Sequence, residues 1–259
     1  MRSTFDRTSC EGPKAFVSEY AVWKSDAGKG SLLASLAEAA FLTGLERNSD
    51  IVHMASYAPL FVNANDRKWN PDAIVFNSWQ HYGTPSYWMQ TLFRESSGAI
   101  VHPITINSRY SGSLAASAIT WQDSGNSFLR VKARKECIKK KVIVYLKDQF
   151  VTFISKALVQ IVNFGSHAVR VRISATGLGA SVNAVGSTVT VLTSGNVMDE
   201  NSFSHPQKVV PVKRQLRNAA EQMRVKLAPH SLTSFDLALA QSKLVTLAEK
   251  DDGYLRSRV

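Results

Sequence analysis

The sequence is short of almost everything that would mark a metal, redox or membrane protein. Its two cysteines, Cys10 and Cys137, are too few for a disulfide framework or a cysteine-based zinc site. Six histidines are scattered, and none forms an HxxxH or HxH pair with an acidic partner, so no metal set emerges. DAGKGS lacks the spacing between glycine and GK that a phosphate-cradling P-loop needs. No run of 18 apolar residues exists, which excludes a spanning helix. Residues 1 to 12, MRSTFDRTSCEG, hold no apolar stretch of the kind a signal peptide requires. The expectation is a protein with no metal, no cofactor and no membrane partner.

What is present is enough for a folded chain. At 259 residues a sizeable core is affordable, and 44% hydrophobic with 20% charged residues is the composition of a globular protein. The formal charge is +11, and KARKECIKKK at 132 to 141 concentrates much of it. Such a run is either a docking site for a polyanion or a solvated basic loop. No aromatic platform or nucleic-acid motif accompanies it, so no nucleic-acid partner is expected.

Texture changes along the chain. From about 14 to 99, strand-like and helix-like segments alternate; from 100 onward, short β-rich runs are divided by Gly, Asn, Ser and Asp. In the first part, FVSEYAVW reads as a strand. Ser31 is then a good N-cap for a helix whose Leu32, Leu33, Leu36, Ala37, Ala40, Phe41 and Leu45 make one apolar face ending near residues 47 to 50. IVHMASYAPLFV (51 to 62) is an apolar stretch limited by Pro59, and AIVF (73 to 76) follows a polar loop. Thr84-Pro85 caps a second helix predicted to run to about Glu95. Strand, helix, strand, helix is the rhythm of parallel βα units, and about two of the eight units of a (β/α)8 barrel are here. The second part, from VHPITINS to MRVKLAPHSLTSFDLAL, reads as an antiparallel sandwich with an irregular loop at 193 to 219. The tail from about 242 reads as disordered or weakly helical. The division is 1–99, 100–241 and 242–259.

One residue stands against its surroundings. Glu19 sits amid strand formers, and burying an unpaired carboxylate is very costly. It is either a surface or salt-bridged acid on an edge strand, or a functional group at the C-terminal end of a parallel strand, where α/β folds build their sites.

Resemblance bears on that choice. EGPKAFVSEYAV, DAGKGSLLASLAEAAFLTGLERNSDIVHMASYAPLFVN and WNPDAIVFNSWQHYGTPSYWMQTLF resemble the plant α-L-arabinofuranosidases of glycoside hydrolase family 51, as do VLTSGNVMDENSFSHPQKVVPV and LAPHSLTSFDL further on. The similarity runs from about residue 5 to 240. It implies an α/β plus all-β fold: the C-terminal fragment of a (β/α)8 barrel, about its last two βα units, followed by a jelly-roll-like antiparallel β-sandwich. It implies hydrolysis of terminal α-L-arabinofuranosyl groups from arabinan, arabinoxylan and related polysaccharides with retention, in the extracellular space or cell wall.

By the same resemblance Glu19 matches the nucleophile at the end of the seventh barrel strand. Retention needs two carboxyl groups about 5 Å apart. The family's acid/base glutamate lies well upstream, and here only Asp6 and Glu11, in a loop-like context, precede Glu19; neither matches its motif. The expectation is a chain that is catalytically incomplete alone. Trp23 stands where bacterial relatives have a tryptophan lining the sugar site, or else packs in its loop. Asn63, Trp69, Asn77 and Gln80 fall after the eighth strand and either bind substrate hydroxyls or stabilise loops. His81 and His53 are read as packing residues. A different reading makes the sandwich a non-catalytic carbohydrate- or wall-binding module whose basic surface suits acidic pectins.

Overall fold

The computed structural model describes residues 3–23, 25–105, 114–121, 156–175 and 181–240. The basic run at 132 to 141, the strands predicted at 128 to 133 and 142 to 147, and the tail lie outside the described residues. The described chain is mostly sheet with few helices, arranged as a β-sandwich with helices on one side.

The chain opens with a strand-helix-strand unit. β1 (Ala15–Tyr20) and β2 (Val52–Tyr57) pair in parallel and are joined by α1 (Leu32–Arg47), the long crossover that parallel strands require. Ser31 caps α1 as predicted, its hydroxyl accepting Ala34 N–H at 3.2 Å. The 51 to 62 stretch divides around Pro59, and β3 (Phe61–Asn63) instead joins β4 (Ile74–Phe76) and β5 (His81–Gly83) in a separate three-stranded sheet. AIVF therefore does not extend the β1-β2 pair. α2 (Pro85–Gln90) starts from the Thr84 cap but stops earlier than expected, giving way to a short 3-10 turn at Arg94–Ser96.

Among the described residues, every helix or strand beyond this turn is a strand. β6 (Ile100–His102), β7 (Leu114–Trp121), β8 (Lys156–Asn163), β10 (Ser181–Thr193), β11 (Val212–Gln215) and β13 (Ser231–Ala240) form one six-stranded sheet in the order β11-β10-β13-β8-β7-β6. β9 (Val169–Ser174) and β12 (Gln222–Leu227) form an antiparallel pair across from it. The irregular loop is shorter than predicted, because β11 lies within it as an exposed edge strand.

Strand periodicity sends alternate residues to opposite cores. Leu114, Ala116, Ile161, Phe235 and Leu237 pack toward β9 and β12, with Ile173, Met223 and Leu227. Ala115, Val162, Leu192 and Leu232 face the other way, onto Leu32, Leu36, Leu42 and Leu45 of α1 and Met89 of α2. α1 is thus enclosed by β1 and β2 on one side and the large sheet on the other, and it buries Ala34, Ser35, Ala39 and Thr43 as well as Leu32, Leu36, Leu42 and Leu45. The single apolar face expected of it is half of what the fold uses.

Candidate functional site

The C-terminal ends of β1 and β2 lie side by side, with Tyr20 opposite Tyr57. Strict alternation from Phe16 would put Glu19 on the same face as Val17, toward α1. The ladder does not alternate strictly. Val17 pairs with Ala55 and Tyr20 with Tyr57, so three steps on β1 match two on β2, and the register shifts between them. A bulge of this kind re-aims side chains and is common beside active sites. Val17 and Tyr20 both pack on the core, whereas Ser18 and Glu19 are both exposed. The acid among strand formers is thus not buried at all: the extra residue turns it out to solvent.

Behind it the packing is dense. Tyr20 stacks edge-on to Tyr57, centroids 5.5 Å apart, and lies 5.6 Å from Phe41 of α1. Glu38 of α1 is 2% exposed, and its Oε1 accepts the Val22 N–H at 3.0 Å. Burial pushes its carboxyl up to about 7, while the Ser86 and Tyr57 hydroxyls and the Val22 N–H pull it back. Both hydroxyls lie close enough to favour the charged form, yet neither meets Oε2 in hydrogen-bonding geometry. Burial and the Glu38 charge also push the Tyr20 and Tyr57 phenols up.

The same end of the molecule receives the loop after β10. Asp199 O accepts from Leu32 N at 3.0 Å and Val197 O from Leu33 N at 2.7 Å, satisfying amides at the start of α1. Glu200 Oε1 accepts Lys29 N–H, and a Cβ on Gly28, whose φ is +54°, would fall 2.0 Å from that oxygen. Asn201 is buried and bridges Gly83 O and Val209. Phe203 meets Tyr82 of β5 in a T-shape at 5.0 Å. The long loop is ordered by its neighbour.

The remaining predicted residues spread over the small sheet and the loops around it. Asn63 and Asn77 each use their side-chain oxygen in a local turn: Asn63 accepts from Asn65 N, and Asn77 accepts from Trp79 N and Gln80 N. Trp23 and Trp69 are each 65% exposed. No hydrogen bond among the described residues links Glu19 to Asn63, Asn77 or Gln80. Across the sheet, Phe61, Ile74, Phe76 and His81 line an open apolar hollow of about 670 Å³, opposite the face on which Val62, Val75 and Tyr82 are buried. His81 is therefore a wall of that hollow, and His53 is exposed rather than packed within its strand. Asp6 is at the other end of α1, beside Asn48 and Arg47, and Glu11 is exposed. Among the described residues no group of His, Cys, Asp and Glu is arranged to hold a metal, and no helix is long and apolar enough to cross a membrane.

Comparison with known proteins agrees with this architecture. α-L-Arabinofuranosidase 1 of Arabidopsis thaliana is 55% identical over 245 residues, 94% of this chain and 32% of its own. α-L-Arabinofuranosidase 2 of the same plant is 48% identical over 254 residues, 98% of this chain and 33% of its own. The chain spans about a third of the length of these relatives. An arabinose-bound α-L-arabinofuranosidase of glycoside hydrolase family 51 superposes with a TM-score of 0.71 at 24% identity, over 92% of this chain and 34% of that one. The Thermotoga maritima α-L-arabinofuranosidase in complex with arabinose gives 0.60 at 18% identity, over 87% of this chain and 43% of that one. Residues 18–231 match the α-L-arabinofuranosidase C-terminal domain, and the chain belongs to that family.

Proposed function

We propose that these 259 residues are the nucleophile-bearing C-terminal part of a retaining α-L-arabinofuranosidase. Residues 1–99 form about the last two units of a (β/α)8 barrel, 100–241 a jelly-roll-type sandwich, and 242–259 a tail. The observation that carries this reading is Glu19: an exposed carboxylate, turned outward by a bulge, at the C-terminal end of one of two parallel strands joined by a helix. Family membership supports it, since the relatives are named for this activity.

In the reaction, a Glu19 oxygen attacks the anomeric carbon of a terminal arabinofuranosyl group. The glycosidic oxygen leaves with a proton from a second carboxyl group, and water then releases the sugar. That second group is not supplied by these residues, so the chain alone does not turn over. Trp23 and Trp69 offer ring faces to the sugar, and Asn63, Asn77 and Gln80 keep amide groups for hydroxyls beside the turns they form. The substrates are arabinose-bearing wall polysaccharides such as arabinan and arabinoxylan. The place of action is extracellular, in line with a Streptomyces chartreusis relative named an extracellular exo-α-L-arabinofuranosidase.

The test is a graft. The full chain replaces the matching third of α-L-arabinofuranosidase 1 of Arabidopsis thaliana, and the chimera is assayed on nitrophenyl α-L-arabinofuranoside. Turnover is expected, with Glu19→Gln lowering kcat on the order of 10⁴-fold or more. An active Glu19→Gln chimera excludes Glu19 as nucleophile, and turnover by the chain on its own excludes the incompleteness.

A further inference from the structure

Strand pairing does not fix the backbone where Glu19 stands, because the register of β1 shifts between Val17 and Tyr20. Tyr20 rejoins β2, opposite Tyr57 and with its carbonyl accepting Ala58 N–H at 3.4 Å, and side chains of α1 and α2 reach it and the residues that follow. Tyr20 is wedged against Phe41 and Tyr57, with its hydroxyl 3.5 Å from Gln90 Oε1. Two residues on, Val22 N–H is bound by Glu38 at 3.0 Å. Glu38 is almost wholly buried, where an apolar side chain would cost far less than a carboxyl group. A carboxyl oxygen, however, accepts a backbone N–H whether or not the group is charged, which an apolar side chain cannot do. The position is expensive for packing and well suited to gripping a strand end.

We propose that Glu38 is a positioning residue for Glu19, holding the exit of β1 at Val22 so that the carboxylate three residues earlier keeps the orientation attack requires. This rests on the reading of Glu19 as nucleophile. The groups that face Glu38 are Tyr20 of β1, Tyr57 of β2 and Ser86 of α2, with Asp72 acting on Tyr57 from further off; no base is among them. Glu38 therefore works without a counter-charge, through the hydrogen bond alone.

Two measurements test this. In the 259-residue chain, amide exchange read by NMR should show Val22 exchanging about tenfold faster or more in Glu38→Ala, with Ala40 and Leu42 in α1 unchanged. Glu38→Gln, which still offers a carbonyl oxygen, should bring Val22 back to within about threefold of the parent. In the chimera, Glu38→Ala should lower kcat about 10²-fold with KM within about twofold, and Glu38→Gln should recover most of it. Unchanged Val22 exchange overturns the inference. So does loosened Val22 with kcat unmoved, or loss of α1 protection in both variants, which marks a purely structural acid. An active Glu19→Gln chimera removes the nucleophile reading instead, and the Val22 result still decides whether Glu38 grips the strand.

Discussion

The two sides of α1 each bury one glutamate, and they use it differently. On the side of β1 and β2, Glu38 accepts a backbone N–H from the strand end that carries Glu19. On the side of the large sheet, Glu46 is bound by the Ser96 hydroxyl, with Ser117 of β7 near enough to lower its carboxyl against the rise that burial causes. One acid reaches main chain next to the candidate site; the other is bound by a single side-chain hydroxyl, that of Ser96. Their shared burial shows that a carboxyl group inside this helix is not by itself a sign of function. What each one holds distinguishes them.

If α1 serves both layers, breaking its core should bring both down together. Leu36→Ala, at a fully buried position in the core that α1 shares with β7, β8, β10 and β13, should destabilise by about 2–5 kcal/mol. Circular dichroism should show one transition at a lower temperature; two separated transitions would mean that the layers melt independently.

The acids make a prediction in pH. Glu38 moves from 4.5 to about 7 on folding, so between those values the folded chain keeps a proton that the unfolded chain has released. Stability should therefore fall as pH rises through that window, by roughly 3 kcal/mol from this residue, and level off above it. Burial raises Glu46 in the same direction. Urea midpoints at pH 5 and pH 8 test this. Glu38→Gln should flatten the dependence, and an unchanged slope would show that Glu38 is not buried as described.

The smallest effect concerns the loop after β10. Phe203→Ala removes the T-shaped contact with Tyr82 and should cost about 1 kcal/mol, read as a small drop in melting temperature. It should leave Val22 exchange untouched, which separates docking of this loop from the grip of Glu38.

Much of the frame was legible in the residues because its signals are local. Ser31 and the Thr84-Pro85 pair mark helix starts by chemistry that needs no distant partner, and both act as caps in the structure. Pro59 likewise marks the division between β2 and β3. What escaped depends on layers brought in from far along the chain. Ala34, Ser35, Ala39 and Thr43 of α1 are buried as well, small residues that read as neutral until the helix is enclosed. Glu38 gives no local sign of its burial, since an acid on a helix is ordinarily solvated. β11 is exposed at all four positions, so VKRQ carries no apolar alternation to betray a strand. Glu19 drew attention as an acid that period two would bury, and the bulge that exposes it is not a feature alternation can reveal.

The contacts that complete the start of α1 are also a statement about time. Lys29 N–H is bound by a side chain 171 residues later, and the amides of Leu32 and Leu33 by carbonyls nearly as distant. At about 5–20 residues per second, a ribosome needs roughly ten to thirty seconds to make that stretch after the helix start has emerged. Until residues near 200 are made, those first amides lack these partners, so the loop leading from the Glu19 strand into α1 is finished only after the loop that follows β10 has emerged.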